Sequence, residues 1–181
     1  QQWRVMASVG DAEERKEDLV FDLGFHKGED TGYYLAMGRH VVAVEANKEL
    51  VDQGKIRFAK AVADGRLKLI HAAVVGDHQA RRRSHLEFYP HPQRSEWGSV
   101  DLRWVRRNAE AHGLPHGEPL LVSTMSLPQL VQIYGCPSFL KIDIEGADED
   151  VLSDMSLLTE LPSTVSWETG KESLRAVLQQ H

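Results

Sequence analysis

A chain of 181 residues with 41% hydrophobic and 27% charged residues is long enough for one domain with a sizeable core and ordinary for a soluble globular protein. Its formal net charge of −6 excludes nonspecific nucleic-acid binding, which depends on basic side chains neutralising phosphates. The single cysteine, Cys136, excludes an internal disulfide and a Cys-based metal site, and no apolar run approaches the ~20 residues of a membrane span.

With no charged-then-apolar leader pattern at the N-terminus, the expectation is a cytoplasmic protein with neither nucleic-acid nor membrane partners. Arg81, Arg82, Arg83, Arg103, Arg106 and Arg107 are a local basic exception. They read either as a solvated face or as a rim for an anionic acceptor.

In chain order, short β-branched runs alternate with helix-period segments, the pattern of an α/β sheet with crossover helices. The first strand is Leu19 to Leu23, followed by a helix from about Thr31 to Met37 that Gly38 ends. Val41 to Glu45 is the second strand. Asn47 caps a helix whose face carries Val51, Phe58 and Val62 and which stops at Gly65. Leu67 to Val75 is the third strand. Right-handed crossovers make this first half a parallel sheet with helices on its faces.

The stretch 78–125 reads as an irregular insert. Within it, 84–90 and 119–125 are expected to pair as a hairpin or ladder, and Asp101 to His112 forms a helix ended by Gly113. Ser126 caps a short helix with Pro128 in its first turn. Ser138 to Ile144 is the next strand, and Asp148, Glu149 and Asp150 open a helix whose buried stripe is Val151, Leu152, Met155 and Leu158. Residues 164–168 make the fifth parallel strand, and Leu174, Val177 and Leu178 mark a last helix. The whole reads as one domain over 1–181, with an N-terminal extension over 1–17.

The motif that asks for a function is "VFDLGFHKGED", Val20 to Asp30. An aspartate at the end of an apolar strand, followed by glycines at 24 and 28, places a tight turn at the carboxyl end of a parallel strand, where such sheets bind ligands. Asp22 then either accepts a hydrogen bond from a ligand amine or orders the loop through backbone amides. Glu45, some twenty residues on and at the tip of the second strand, is placed to accept both hydroxyls of a ribose.

A dinucleotide needs G-x-G-x-x-G and a helix N-terminus open to pyrophosphate. Here the spacing is G-x-x-x-G, and Glu29 and Asp30 make the helix start acidic, which repels pyrophosphate. A cationic sulfonium carrying an ammonium group is not repelled, so S-adenosylmethionine fits better than NAD.

Taken together, "VFDLGFHKGEDT", "VVAVEAN", "HAAVVGD", "SEWGS" and "LKIDIEGADEDVL" resemble the FkbM family of class I S-adenosylmethionine-dependent methyltransferases. The resemblance runs from about Leu19 to about Lys171, and I-D-[IV]-E-G is its most specific piece. It implies a Rossmann-like, doubly wound, mostly parallel sheet. It also implies that Asp22, Gly24 and Gly28 cradle the methionine part of the cofactor. His26 and Lys27 stand where an asparagine and an aliphatic residue are usual, with His26 replacing the asparagine as a polar clamp. Glu45 matches the ribose-binding acid with Ala46 beside the adenine, His71, Ala72 and Ala73 flank that ring, and Asp143 lies near the transferring methyl.

The same resemblance supplies a hydroxyl acceptor, on a small molecule or sugar. An alcohol must lose its proton as the methyl is transferred, so a base is sought. Asp143, Glu145 and Glu168 are carboxylates at adjacent strand ends, with His26 and His85 as alternatives. Glu145 has a plain structural reading as a cap on the Gly146 turn, and Glu168 one as a strand terminator. Three carboxylates also invite Mg²⁺, although no spacing demands it and no metal ligand is assigned.

The loop "PHPQRSEWGSV", with Ser95, Glu96 and Trp97, is the candidate acceptor loop. The chain starts at Gln1 and stops inside a predicted helix, before the strand hairpin usual for the fold. The expectation is therefore a longer parent protein or a partner, such as a second copy, along the open sheet edge. A non-catalytic nucleoside-binding or assembly module is the competing reading.

Overall fold

The computed structural model describes residues 18–113 and 117–167. The expected last helix, the extension over 1–17 and Glu168 lie outside the described residues. Five strands form an all-parallel sheet: β1 (Leu19–Leu23), β2 (His40–Glu45), β3 (Leu67–His71), β7 (Phe139–Ile142) and β8 (Thr164–Trp167), in the order β3-β2-β1-β7-β8. Helices α1 (Glu29–Ala36), α2 (Lys48–Arg57), α3 (Ala59–Ala63), α6 (Leu127–Tyr134) and α7 (Asp148–Ser153) make its crossovers. The strand order reverses between β1 and β7, which opens a crevice at their carboxyl ends.

Alternation along the strands builds both layers. Phe21, Leu23, Val42, Val44, Leu140 and Ile142 point to one face and meet Leu127, Leu130, Val151, Leu152 and Met155. Val20, Val41, Ala43 and Leu67 point to the other and meet Phe25, Leu35 and Ala61. Each fully buried Leu, Ile or Phe contributes roughly 1.5–3 kcal/mol, so the two layers supply most of the fold's driving force. Asp22 belongs by register to the second face, directly opposite Lys141 on β7.

Four details differ from the sequence expectation. The third strand does not run unbroken to Val75. It leaves the main sheet at Ala72, and β4 (Ala73–Val74) joins a second sheet of order β4-β6-β5, with β5 (His85–Phe88) antiparallel to β6 (Leu120–Met125). No glycine or proline interrupts the run from Leu67 to Val75, so the sequence hides the break.

The Asn47–Gly65 helix breaks at Phe58 (φ −107°, ψ 26°), which shifts the register so that Ala61 faces the core and Val62 the solvent. A short helix, α4 (Asp77–Arg82), occupies the start of the stretch read as an irregular insert. The strand after Ser138 ends at Ile142, and the turn that follows it carries Glu145 at a left-handed φ of 54°. Helix α5 (Leu102–His112) ends at the expected Gly113, and Asp101, read as its first residue, is its N-cap. Among the described residues, no helix is long and apolar enough to cross a membrane.

Candidate functional site

At the carboxyl ends of β1, β2, β4 and β7 lies an open pocket, in the place where parallel sheets of this kind bind ligands. Its walls carry Gly24, His26, Glu45, Ala46, Ala72, Ala73, Ser95, Asp143 and Glu145, all singled out in the sequence. Residues from five separated segments thus converge on one cavity.

The glycine loop is shaped by steric necessity. At Gly24 (φ 92°) a Cβ would fall 1.8 Å from the Asp143 carbonyl oxygen, so only glycine lets β1 and the turn after β7 touch. The amides of Gly24 and Phe25 both donate to the Val44 carbonyl, tying the loop to β2. Phe25 then turns inward against Phe58, edge to face at 6.1 Å. Gly28 is not on the pocket wall. It caps α1, and a Cβ there would meet the Phe25 ring at 2.5 Å.

His26 has a left-handed φ of 51°, and Glu145 is the other non-glycine residue with positive φ among the described residues. Both line the pocket. Such conformations cost of order 1–3 kcal/mol and cluster where a site over-determines the backbone.

Glu45 holds the loop from the other side. Its Oε2 accepts the His26 amide and its Oε1 the Asn47 amide, each at 2.8 Å. Burial pushes the carboxyl up in pKa while these amides pull it back down. Each oxygen keeps a second lone pair for a hydroxyl donor. The His26 ring reaches across to Ser95 Oγ at 2.9 Å, linking the glycine loop to the expected acceptor loop.

Asp22 is fully buried and also stands off the pocket wall. Its Oδ2 accepts the Thr31 hydroxyl at 2.6 Å and its Oδ1 the Lys141 ammonium at 3.2 Å. Burial raises its pKa, and the Lys141 charge opposes that rise. Asp143 faces the pocket half-exposed, with its Oδ2 3.5 Å from Lys141.

The turn beyond Asp143 is held by Asp148, whose carboxylate accepts the Ile144 and Gly146 amides, and by Ser99, whose hydroxyl donates to the Glu145 carbonyl. The turn cap is therefore Asp148. Trp97 packs between His91 and His112 at ring distances of 5.2 and 4.5 Å, away from the cavity wall, and so anchors the loop that carries Ser95. Nothing is described for the Glu96 side chain, and Glu168 is outside the described residues.

Sequence reading missed Val74 and Phe88 on the wall, whereas Gly98, Ser99 and Val100 belong to the expected acceptor loop. Phe88 packs with Ala73 and Val122 and has Ala46 and Val100 against it, so the inserted sheet supplies an apolar side to the cavity beside the expected adenine position. Within the insert, Arg81 is tied to Asp77 and Arg103 to Asp101. Among the described residues, no group of three or more His, Cys, Asp or Glu is arranged to hold a metal ion.

The chain was compared with known proteins. No curated protein and no solved structure matched it. The model of the methyltransferase FkbM domain matches residues 22–179, a span that takes in every pocket element described above. The chain belongs to the FkbM methyltransferase family.

Proposed function

We propose that this methyltransferase uses S-adenosylmethionine and transfers its methyl group to a hydroxyl of a small molecule or sugar. Ala46, Ala72, Ala73 and Phe88 would flank the adenine, Glu45 would accept the ribose hydroxyls, and Gly24 and Asp143 would receive the amino-acid end. When bound, the cofactor supplies an electrophilic methyl on a cationic sulfonium. The chain's own contribution is alignment, which can lower such a barrier by several kcal/mol, together with a group to take the acceptor proton. Asp143 and Glu145, both carboxylates on the cavity wall, are the candidates for that group.

The observation that carries this reading is Glu45: a carboxylate at the tip of β2 that lines the cavity and is pinned through both oxygens by backbone amides. A pinned acceptor of this kind fits a vicinal diol. The acidic start of α1, with Glu29 and Asp30, disfavours pyrophosphate and hence a dinucleotide.

Calorimetric titration with S-adenosylhomocysteine and with NAD⁺, on the wild-type chain and on Glu45→Ala, tests it. Micromolar binding of the thioether, at least tenfold weaker in Glu45→Ala, with none of NAD⁺, is expected. Equal binding by both chains removes the ribose assignment, and preference for NAD⁺ overturns the reading.

A further inference from the structure

Lys141 lies beneath the pocket rather than on its wall and has no assigned part in the site. Its side chain is 14% exposed, and its ammonium sits 3.2 Å from Asp22 Oδ1, 3.2 Å from Asp30 Oδ2 and 3.5 Å from Asp143 Oδ2. It also donates to the Gly24 carbonyl at 3.2 Å. One cation therefore meets three carboxylates and the glycine loop's own backbone. The placement follows from register: Lys141 on β7 is the direct neighbour of Asp22 on β1.

The three carboxylates are not equivalent. Asp22 has no solvent access and needs a counter-charge, because an unpaired buried carboxylate is strongly destabilising. Asp30, at the start of α1, is open to water. Asp143 is the one of the three on the cavity wall, and it holds the longest of the three contacts. Three negative charges against one positive leave a local excess of two, a setting that favours a cationic ligand group.

We infer that Lys141 is a positioning residue for the cofactor's amino-acid end: its ammonium clamps Asp22 and the Gly24 carbonyl, and leaves Asp143 as the carboxylate that receives a ligand cation. This inference rests on the reading of the pocket as an S-adenosylmethionine site. Lys141 acts through Gly24 and Asp143 and does not touch the ligand. Burial opposes its charge, but Asp22, Asp143 and Asp30 outweigh that and hold its pKa above the usual lysine value, so the ammonium persists at any working pH. The other ionisable groups facing the cluster are Tyr34 on α1, pushed up to about 12 by burial and by Asp22 and Asp30, and Glu45 on β2.

The test compares wild type, Lys141→Arg, Lys141→Met and the double variant Asp22→Asn/Lys141→Met. Each is titrated with S-adenosylhomocysteine from pH 6 to 8, with thermal unfolding measured alongside. Wild type is expected to bind with little pH dependence, and Lys141→Arg to stay within about threefold of it. Lys141→Met should bind at least tenfold more weakly. Its affinity should fall further as pH rises, because Asp22, left without its cation, is tolerated in the core only while protonated.

The double variant removes the buried charge. It should unfold near the wild-type temperature with its pH dependence gone, yet still bind weakly, because the Gly24 carbonyl has lost its anchor. Any scaffold defect that merely loosened the fold would weaken binding equally at every pH.

Wild-type affinity in Lys141→Met, equal weakening in the Arg and Met variants, or full recovery in the double variant overturns the inference while leaving the cofactor assignment intact. Absence of binding by wild type overturns the cofactor assignment and the inference with it.

Discussion

Gly24 and Gly38 share nearly the same backbone angle, φ 92° and 84°, but differ in what surrounds them. A Cβ at Gly38 meets nothing within 4 Å, whereas at Gly24 it falls 1.8 Å from the Asp143 carbonyl oxygen. Alanine at either site pays the left-handed penalty of about 1–2 kcal/mol. At Gly24 the overlap must also be relieved by moving backbone, and overpacking a well-fitted interior adds a further ~1–3 kcal/mol or more.

A domain of this size loses about 2–4 °C of melting temperature per kcal/mol. Gly38→Ala should therefore melt about 2–8 °C below wild type, and Gly24→Ala, with the overlap added, about 10 °C below or more. Circular dichroism melts of the two variants measure the difference. Melting temperatures within 2 °C of each other would refute the reasoning, since they would mean that β1 and the turn after β7 need not touch.

Other expectations follow from the same geometry. Ser126 is buried, caps α6 in a reciprocal box with Gln129 and donates to Asp77 at 2.8 Å, so Ser126→Ala should cost about 1–2 kcal/mol in urea unfolding. Asp154, which accepts the Asp77 amide, has its pKa raised to about 6 by burial and by the Asp77 and Asp150 charges. A carboxyl raised in the folded state contributes stability that is present below its ordinary value and lost as pH rises through about 6. Asp154→Asn should flatten the fall in stability between pH 4 and 7, and an unchanged slope would contradict this. Glu45→Gln keeps the shape but replaces one acceptor with a donor facing a backbone amide. It should weaken S-adenosylhomocysteine by about tenfold, about 1.4 kcal/mol, by calorimetry.

The first two strands of the parallel sheet were legible because each ends in a residue that breaks its pattern, Gly24 after β1 and Glu45 at the end of β2. Helix caps at Asn47 and Ser126 were equally plain, since a short polar side chain before an apolar stripe has few other uses. The split at Ala72 was hidden because no glycine or proline marks it, and β3 and β4 are separated only by which strand each pairs with. Phe88 and Val100 were hidden for a related reason. For Phe88 the cause is that it comes from the insert, and nothing local in its sequence reveals that it folds back over Ala73; for Val100, which lies in the expected acceptor loop, only its place against Phe88 was hidden.

Lys141 was the most consequential omission. A lysine inside "FLKIDI" reads as a side chain reaching for water from a strand. The available signal was that the neighbouring strand carries a lone aspartate on the same face, so that each charge explains the other. Asp22, for its part, was left open between ligand and loop. The structure places it with Thr31 and Lys141, in the company that orders a loop.

Hydrogen exchange with and without saturating S-adenosylhomocysteine tests the account most directly, because it reports where the ligand sits as well as whether it binds. Slowed exchange is expected in residues 24–28, 45–47 and 143–146, the three segments that frame the cavity, with the exposed groove beside Lys27, Gln53 and Arg57 unaffected at its α2 wall. Protection confined to that groove, or unchanged exchange throughout the cavity segments under saturating ligand, would contradict the assignment of this pocket to the methyl donor.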